Sequence, residues 1–504
     1  MSHRVQHADR LRGPKGGGSG HQRVSVATAL ALAIGLFGVF GVSGSAHAAT
    51  KANANPVASA SPVAFPGCSW PIETTPTKAN LFGPDPSATY WTTPFITDPG
   101  NSITIHGTFP TARYISYTVY NNSFNDFTNT VAGQPVSSAL ADYQLQPDAG
   151  SVNPWQVASV PTGSKTNYTV TLLPGATATQ RLQDNTLPMI DATPPADPTG
   201  PANVGYVIMR AYIPAGGNTT VPLPSITITH NGTSSTLPQC SSLNQPGSKA
   251  LSARLAQVLK AIATIQSKIS GGCTSNCPPT LQYFFPSADL SGGLFPNPDN
   301  SYIAMQFTPK PGYVVVTRGQ APIAPVGAGS GTKGNSIGAS PVNWLQSPLP
   351  YQTRYWSINN YLLSGTYPVV QDQIGSASVF GGAADFQMTL DSGGYYTLVS
   401  SLPVDEPSSS SLTAASATWV PTSNTRANRL TPETQWVRNM VANRDSYPNS
   451  FAFIPRPTSP SANISPAVLH AWMGTYYPEV AQCRVQVFQS GGWTACKAAT
   501  PLNP

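Results

Sequence analysis

Catalysis needs nucleophiles, acids, bases or metal ligands at workable spacing, and few stretches of this sequence offer them. Gly334-Asn335-Ser336-Ile337-Gly338 has the Gly-x-Ser-x-Gly form of a hydrolase nucleophile, and Asp372, Asp385, Asp391, Asp405 and then His470 follow in triad order. Such a serine needs an apolar strand before it and a helix after it. Here Pro325–Lys333 and Ala339–Pro341 make loop composition on both sides, so the match is read as chance in a Gly/Ser-rich chain. Paired carboxylates could run glycoside hydrolysis. Asp85 and Asp299 stand out because Phe82-Gly-Pro-Asp85 and Phe295-Pro-Asn-Pro-Asp299 are similar turns, where Asp commonly bonds local amides. Arg113, Arg210, Arg354 and Arg438 recur in or beside apolar strands. A guanidinium there must meet a carboxylate or carbonyl, or face a wet cleft. These six residues therefore form either a pocket for an anionic or carboxylated ligand, or a repeated clamp inside the fold. The clamp is the favoured reading, and no residue is assigned as catalytic.

Cysteine is the other reactive type. Cys68, Cys240, Cys273, Cys277, Cys483 and Cys496 make an even set, which favours disulfides in an exported chain. Their positions suggest Cys68 with Cys240, Cys273 with Cys277 and Cys483 with Cys496, although spacing alone leaves the connectivity open. A metal site at Cys273-x-x-x-Cys277 lacks a second ligand pair nearby, and beyond residue 48 the only histidines are His106, His230 and His470. Neither a metal nor a cofactor is expected.

Export is argued from the first 48 residues. Arg4, Arg10, Arg12, Lys15 and Arg23 precede an apolar run, Val24–Val42, and Ala46-His47-Ala48 supplies a cleavage site, expected after Ala48. An uncleaved anchor is the alternative. Losing this segment removes five basic residues and one acid, so the formal charge of +6 falls to about +2. With charged residues at 9%, against roughly 25% in ordinary domains, the chain lacks the clustered cations that phosphates demand. Nucleic acid is excluded as a partner. Residues 49–66, Ala- and Pro-rich, read as a flexible linker.

The elements that must position these residues are mostly strands. Ser102–His106, Tyr114–Tyr120, Tyr168–Leu172, Tyr206–Tyr212 and Ser225–Thr229 are short, β-branched or aromatic runs parted by Gly, Pro, Asn and Asp. Tyr313–Thr317, Phe386–Leu390 and Tyr395–Val399 repeat the style. Between them Leu251, Leu255, Val258, Ile262, Ile265 and Ile269 follow a heptad pattern, predicting one amphipathic helix capped by Ser248 and ended by Gly271-Gly272. Its face is read as packing on a β domain, with self-association or membrane contact as the alternative.

Beyond the paired turns, Ala112-Arg-Tyr-Ile-Ser116 matches Thr353-Arg-Tyr-Trp-Ser357. Tyr168 precedes Arg210 by the same interval that separates Tyr396 from Arg438. This ordered series predicts an internal duplication: all-β, two antiparallel sandwich or jelly-roll-like domains, residues 67–245 and 273–504, joined by the helix within 246–272. The repeat assigns Trp436–Met440 to a strand, although Thr431-Pro432-Glu433 resembles a helix start.

The runs Ala112–Tyr120, Leu140–Pro154, Phe295–Tyr302 and Arg354–Ser357 resemble, as a set spanning roughly residues 80–480, a group of exported bacterial proteins of unknown function. The resemblance implies the fold but no transferable activity. The expectation is a secreted or envelope β protein that binds a small molecule or glycan without catalysis. A hydrolase with a site between the domains, and a structural envelope protein associating through residues 249–269, are the alternatives. Oligomeric state is not fixed by the sequence.

Overall fold

The computed structural model describes residues 67–121, 129–131, 134–189, 204–241, 284–286, 295–325, 341–363, 367–374, 377–423, 432–454 and 464–500. The leader, the linker, Cys273, Cys277, the 249–269 helix and the Gly334–Gly338 motif lie outside them.

The first half supplies β1 (Ile72–Thr74), β2 (Ala88–Ile96), β3 (Asn101–Thr108), β4 (Ala112–Tyr120), a hairpin β5 (Asn129–Val131) and β6 (Gln134–Val136), and β7 (Ala139–Ala141). It continues with β8 (Asn167–Leu173), β9 (Thr186–Pro188), β10 (Val204–Pro214), β11 (Ser225–His230) and β12 (Thr233–Thr236). The second half supplies β13 (Phe285–Pro286), β14 (Asn300–Phe307), β15 (Tyr313–Gln320), β16 (Thr353–Leu362), a hairpin β17 (Gln371–Ile374) and β18 (Ala377–Phe380), and β19 (Gly382–Ala384). β20 (Tyr395–Ser401), β21 (Thr418–Pro421), β22 (Glu433–Ala442) and β23 (Glu479–Arg484) complete it.

Two five-stranded sheets have the same plan, β1-β2-β10-β4-β7 and β13-β14-β22-β16-β19. The remaining two large sheets run β12-β11-β3-β8-β9 and β23-β15-β20-β21. Within each the pairing is antiparallel except at β8–β9 and β20–β21.

Side-chain alternation explains why the central strands are so aromatic. Along β4, Ile115, Tyr117 and Val119 enter one core with Ile103 and Ile105 of β3 and Val170 and Leu172 of β8. The opposite face sends Tyr114 to a second cluster with Tyr212, Tyr355, Ala384 and Met440. β16 does the same, with Trp356 and Ile358 in one core and Tyr355 across the seam. Both faces of these strands are buried, and the polar side chains they carry, among them Ser116, Thr118 and Ser357, lie on the seam face away from water. The sheets β1-β2-β10-β4-β7 and β13-β14-β22-β16-β19 thus meet at a buried seam, and each shares a core with strands of one of the other two large sheets.

The strand readings hold at seven of eight positions. Phe386–Leu390 is the exception: Asp385–Gln387 is a single 3-10 turn, because the Gln387 side chain accepts the Ala384 N–H and Asp385 accepts the N–H groups of Phe386 and Trp356. At Glu433 the strand prevails over the helix-start signal. Helices the pattern missed are Ala178–Gln183, Ser409–Ala414 and Pro466–Met473, N-capped by Thr177, Ser408 and Ser465. Val485–Ala499 is also helical, kinked at Gly491 and Gly492, a break that spoils its periodicity. Two of the anticipated disulfides are present, Cys68–Cys240 and Cys483–Cys496. No helix among the described residues is long and apolar enough to cross a membrane.

Candidate functional site

The six residues singled out in the sequence converge on the seam, and they do so reciprocally. Arg113, on β4, donates through Nη1 to both Asp385 oxygens at 2.6 Å. Arg354, on β16, donates to Asp142 Oδ1 at 2.9 Å. All four side chains are fully buried, and each pair crosses from one half to the other. The acids occupy the same local setting. Asp142 accepts the Ile115 and Tyr143 amides, as Asp385 accepts those of Trp356 and Phe386.

Burial raises the Asp142 carboxyl to about 6, with Arg354 and the backbone donors pulling the other way. Burial likewise raises Asp385 against Arg113. Removing such charges from water costs several kcal/mol per ion, which a pair and its hydrogen bonds only offset. The pairs therefore link the two sheets across the seam at a desolvation cost that limits what they add to stability.

Arg210 and Arg438 meet carbonyls. Arg210 donates to Phe295 O at 3.1 Å and to the Tyr120 hydroxyl. Arg438 donates to Gly83 O and, at 2.7 Å, to the Tyr361 hydroxyl. Those two tyrosines then donate to Pro296 O and Pro84 O, at 2.6 and 3.2 Å. The turns presenting these carbonyls hold Phe82 at φ 62° and Phe295 at φ 53°. A left-handed Phe costs roughly 1–3 kcal/mol and persists only where surroundings impose it.

Asp85 is buried beneath the second half, accepting Tyr355 OH and Ser357 Oγ at 2.7 Å each, with Arg438 Nε 3.7 Å away. Asp299, half-buried, accepts Tyr114 OH at 2.6 Å. Burial and the neighbouring aspartates push both tyrosine hydroxyls well above their ordinary range, so they stay neutral donors.

Sequence reasoning did not find the acids that pair with Arg113 and Arg354. The signal was available: Ala141-Asp142-Tyr143-Gln144 and Ala384-Asp385-Phe386-Gln387 are near copies.

Beside the seam an open cleft of about 920 Å³ runs from Pro86, Ser87 and Ile213 of the first half to Phe380, Phe386 and Trp419 of the second. Its rim carries Ser378, Gln387, Thr389, Ser409 and Thr413, all exposed. Glu406 is the only charged residue among those lining it. The three aromatic rings are half-buried, and the Trp419 indole N–H donates to Ser401 Oγ at 2.8 Å.

No protein-family model matches the chain, and no curated protein does. The chain is similar to an uncharacterized protein from Burkholderia cenocepacia of solved structure, with TM-score 0.44 and 11% identity over 83% of this chain and 82% of that one. A Vibrio parahaemolyticus protein of solved structure gives TM-score 0.33 and 10% identity over 75% and 89% of the two chains.

Proposed function

We propose that this is a secreted, non-catalytic binding protein of two duplicated β-sandwich units, and that it takes a neutral polyhydroxylated ligand, a glycan, in the cleft beside the seam. Duplication is supported by the shared sheet order, the reciprocal Arg–Asp pairs and the matching left-handed Phe82 and Phe295. Under this reading Arg113, Arg210, Arg354, Arg438, Asp85 and Asp299 clamp the units together and do not touch the ligand. Each of them already has partners within the chain.

The observation that carries the binding assignment is the chemistry of the cleft lining. Half-buried aromatic rings beside exposed hydroxyls and an amide suit sugar rings, which present apolar faces and polar edges. A single carboxylate among the lining residues favours binding over hydrolysis, which ordinarily employs two. Export is supported by the leader sequence and by the two disulfides. Isothermal titration of the full chain with oligosaccharides tests the proposal. Binding should be saturable, insensitive to salt and lost in Trp419→Ala. Undiminished affinity in that variant would refute the site.

A further inference from the structure

Two equivalent sheet edges are finished differently in the two halves. β7 and β19 each end a five-stranded sheet, and they pair through Thr118 with Ala139 and Asn359 with Gly382. One residue earlier, Ser138 O accepts the Val119 N–H at 2.9 Å and Gly381 O accepts the Asn360 N–H at 2.6 Å. In an antiparallel ladder the next residue turns its N–H and C=O the other way, so Ala139 O and Gly382 O face the open edge. Two residues on, the outward N–H groups of Ala141 and Ala384 are both taken by side chains, Gln144 Oε1 at 3.0 Å and Gln387 Oε1 at 2.9 Å.

The outward carbonyls are where the halves part. Arg181 Nη1 donates to Ala139 O at 2.9 Å. Arg181 is the fourth residue after the Thr177 cap of Ala178–Gln183, and its backbone N–H closes the first turn on Thr177 O at 3.0 Å. Leu412 holds the same place after the Ser408 cap of Ser409–Ala414, closing on Ser408 O at 3.0 Å. A leucine side chain donates nothing. Among the described residues no donor meets Gly382 O. Gly382 and Leu412 are both half-buried, and both line the cleft.

Resting on the reading of the cleft as a glycan site, we infer that Gly382 O is its acceptor for an acetamido N–H, so that the glycan is an N-acetylated one. The ligand amide takes the carbonyl that the first half gives to its own guanidinium. Its methyl group lies against Leu412, with Trp419 and Val420 in the same lining. A sugar hydroxyl also donates, but it brings no apolar part to the leucine that stands in the arginine's place.

The test titrates the full chain by calorimetry with chitohexaose and cellohexaose, which share a linkage and differ at C2, acetamido against hydroxyl. Chitohexaose should bind at least about tenfold more tightly, as one well-matched polar group warrants. Leu412→Arg restores the arrangement of the first half and gives Gly382 O an internal donor. Arginine is a good helix former, and melting temperature checks the fold. The variant should lose at least about tenfold in chitohexaose affinity, and with it the preference over cellohexaose. The wild-type comparison decides the matter whether or not the variant folds. Equal affinity of the wild-type chain for both probes would overturn the acetamido reading and leave the cleft reading in place, as would a folded Leu412→Arg chain that keeps the full preference. Binding of neither probe to the wild-type chain would overturn both.

Discussion

Cutting one end of the Arg354–Asp142 pair should cost far more than removing the pair. Arg354→Met leaves Asp142 with the Ile115 and Tyr143 amides but no counter-charge, in a site where neither side chain reaches solvent. Stranding a buried charge in this way costs about 3–5 kcal/mol. Adding Asp142→Asn removes the charge and keeps an acceptor for one of those two amides, which bond different carboxylate oxygens, so the double variant should recover to within about 1–3 kcal/mol of wild type.

A pH arm sharpens the test. Asp142 already titrates at about 6 with Arg354 present, and without it the folded-state value moves higher while the unfolded one stays near that of a free aspartate. Protonation then rescues the variant: its deficit against wild type is full above that raised folded-state value, shrinks as pH falls from there toward 6, and stays constant below 6, where both folded states are protonated. Urea unfolding of the full chain, disulfides intact, followed by tryptophan fluorescence, measures all four corners of the cycle. A single-variant cost below about 1 kcal/mol, or a double-variant cost equal to the sum of the singles, would refute the clamp. The same cycle at Arg113 and Asp385 should behave alike.

Three further outcomes are expected. Glu433 is buried, accepts the Ser423 N–H through Oε1, leaves Oε2 without a partner, and is raised by burial to about 8. Its folded value exceeds its unfolded value of 4.5. Stability should therefore fall by roughly 5 kcal/mol as pH rises across that interval, and Glu433→Gln should flatten the slope measured by urea unfolding. Gly107→Ala places a Cβ 2.4 Å from the Tyr168 ring and Gly319→Ala one 2.8 Å from the Tyr396 hydroxyl. Each should destabilise by about 1–3 kcal/mol in the same assay. Replacing Cys68 and Cys240 by Ser opens a loop with a sequence separation of 172, which should lower unfolding free energy by roughly 4–5 kcal/mol.

Much of the frame was legible because it rests on local rules. Aromatic and β-branched runs around Tyr114–Tyr120 and Tyr206–Tyr212 read as strands, but Ser116, Thr118 and Arg210 within them gave no sign that both faces would be buried. Glu433 was decided by the match to the Tyr206–Tyr212 strand against a local helix-start signal, since packing of a whole sheet outweighs a single cap. Phe386–Leu390 misled for the opposite reason: one aspartate and one glutamine side chain bonding nearby amides turn the backbone where composition reads as extended. Asp142 and Asp385 were hidden because each arginine is answered by the other half of the chain, more than 200 positions away. The cleft was equally illegible. Its walls come from residues 86–87, 213 and 378–420, and no linear pattern joins them.

The Cys68–Cys240 bond has a mechanical side. Tension applied through the residues before Cys68 passes across the sulfurs to Cys240 and on along the chain, so residues 69–239 lie off the load path. If tension enters before Cys68 and leaves through the second half, residues 69–239 bear it only through the contacts they make across the seam. The reciprocal arginine pairs then act as the rivets that share it.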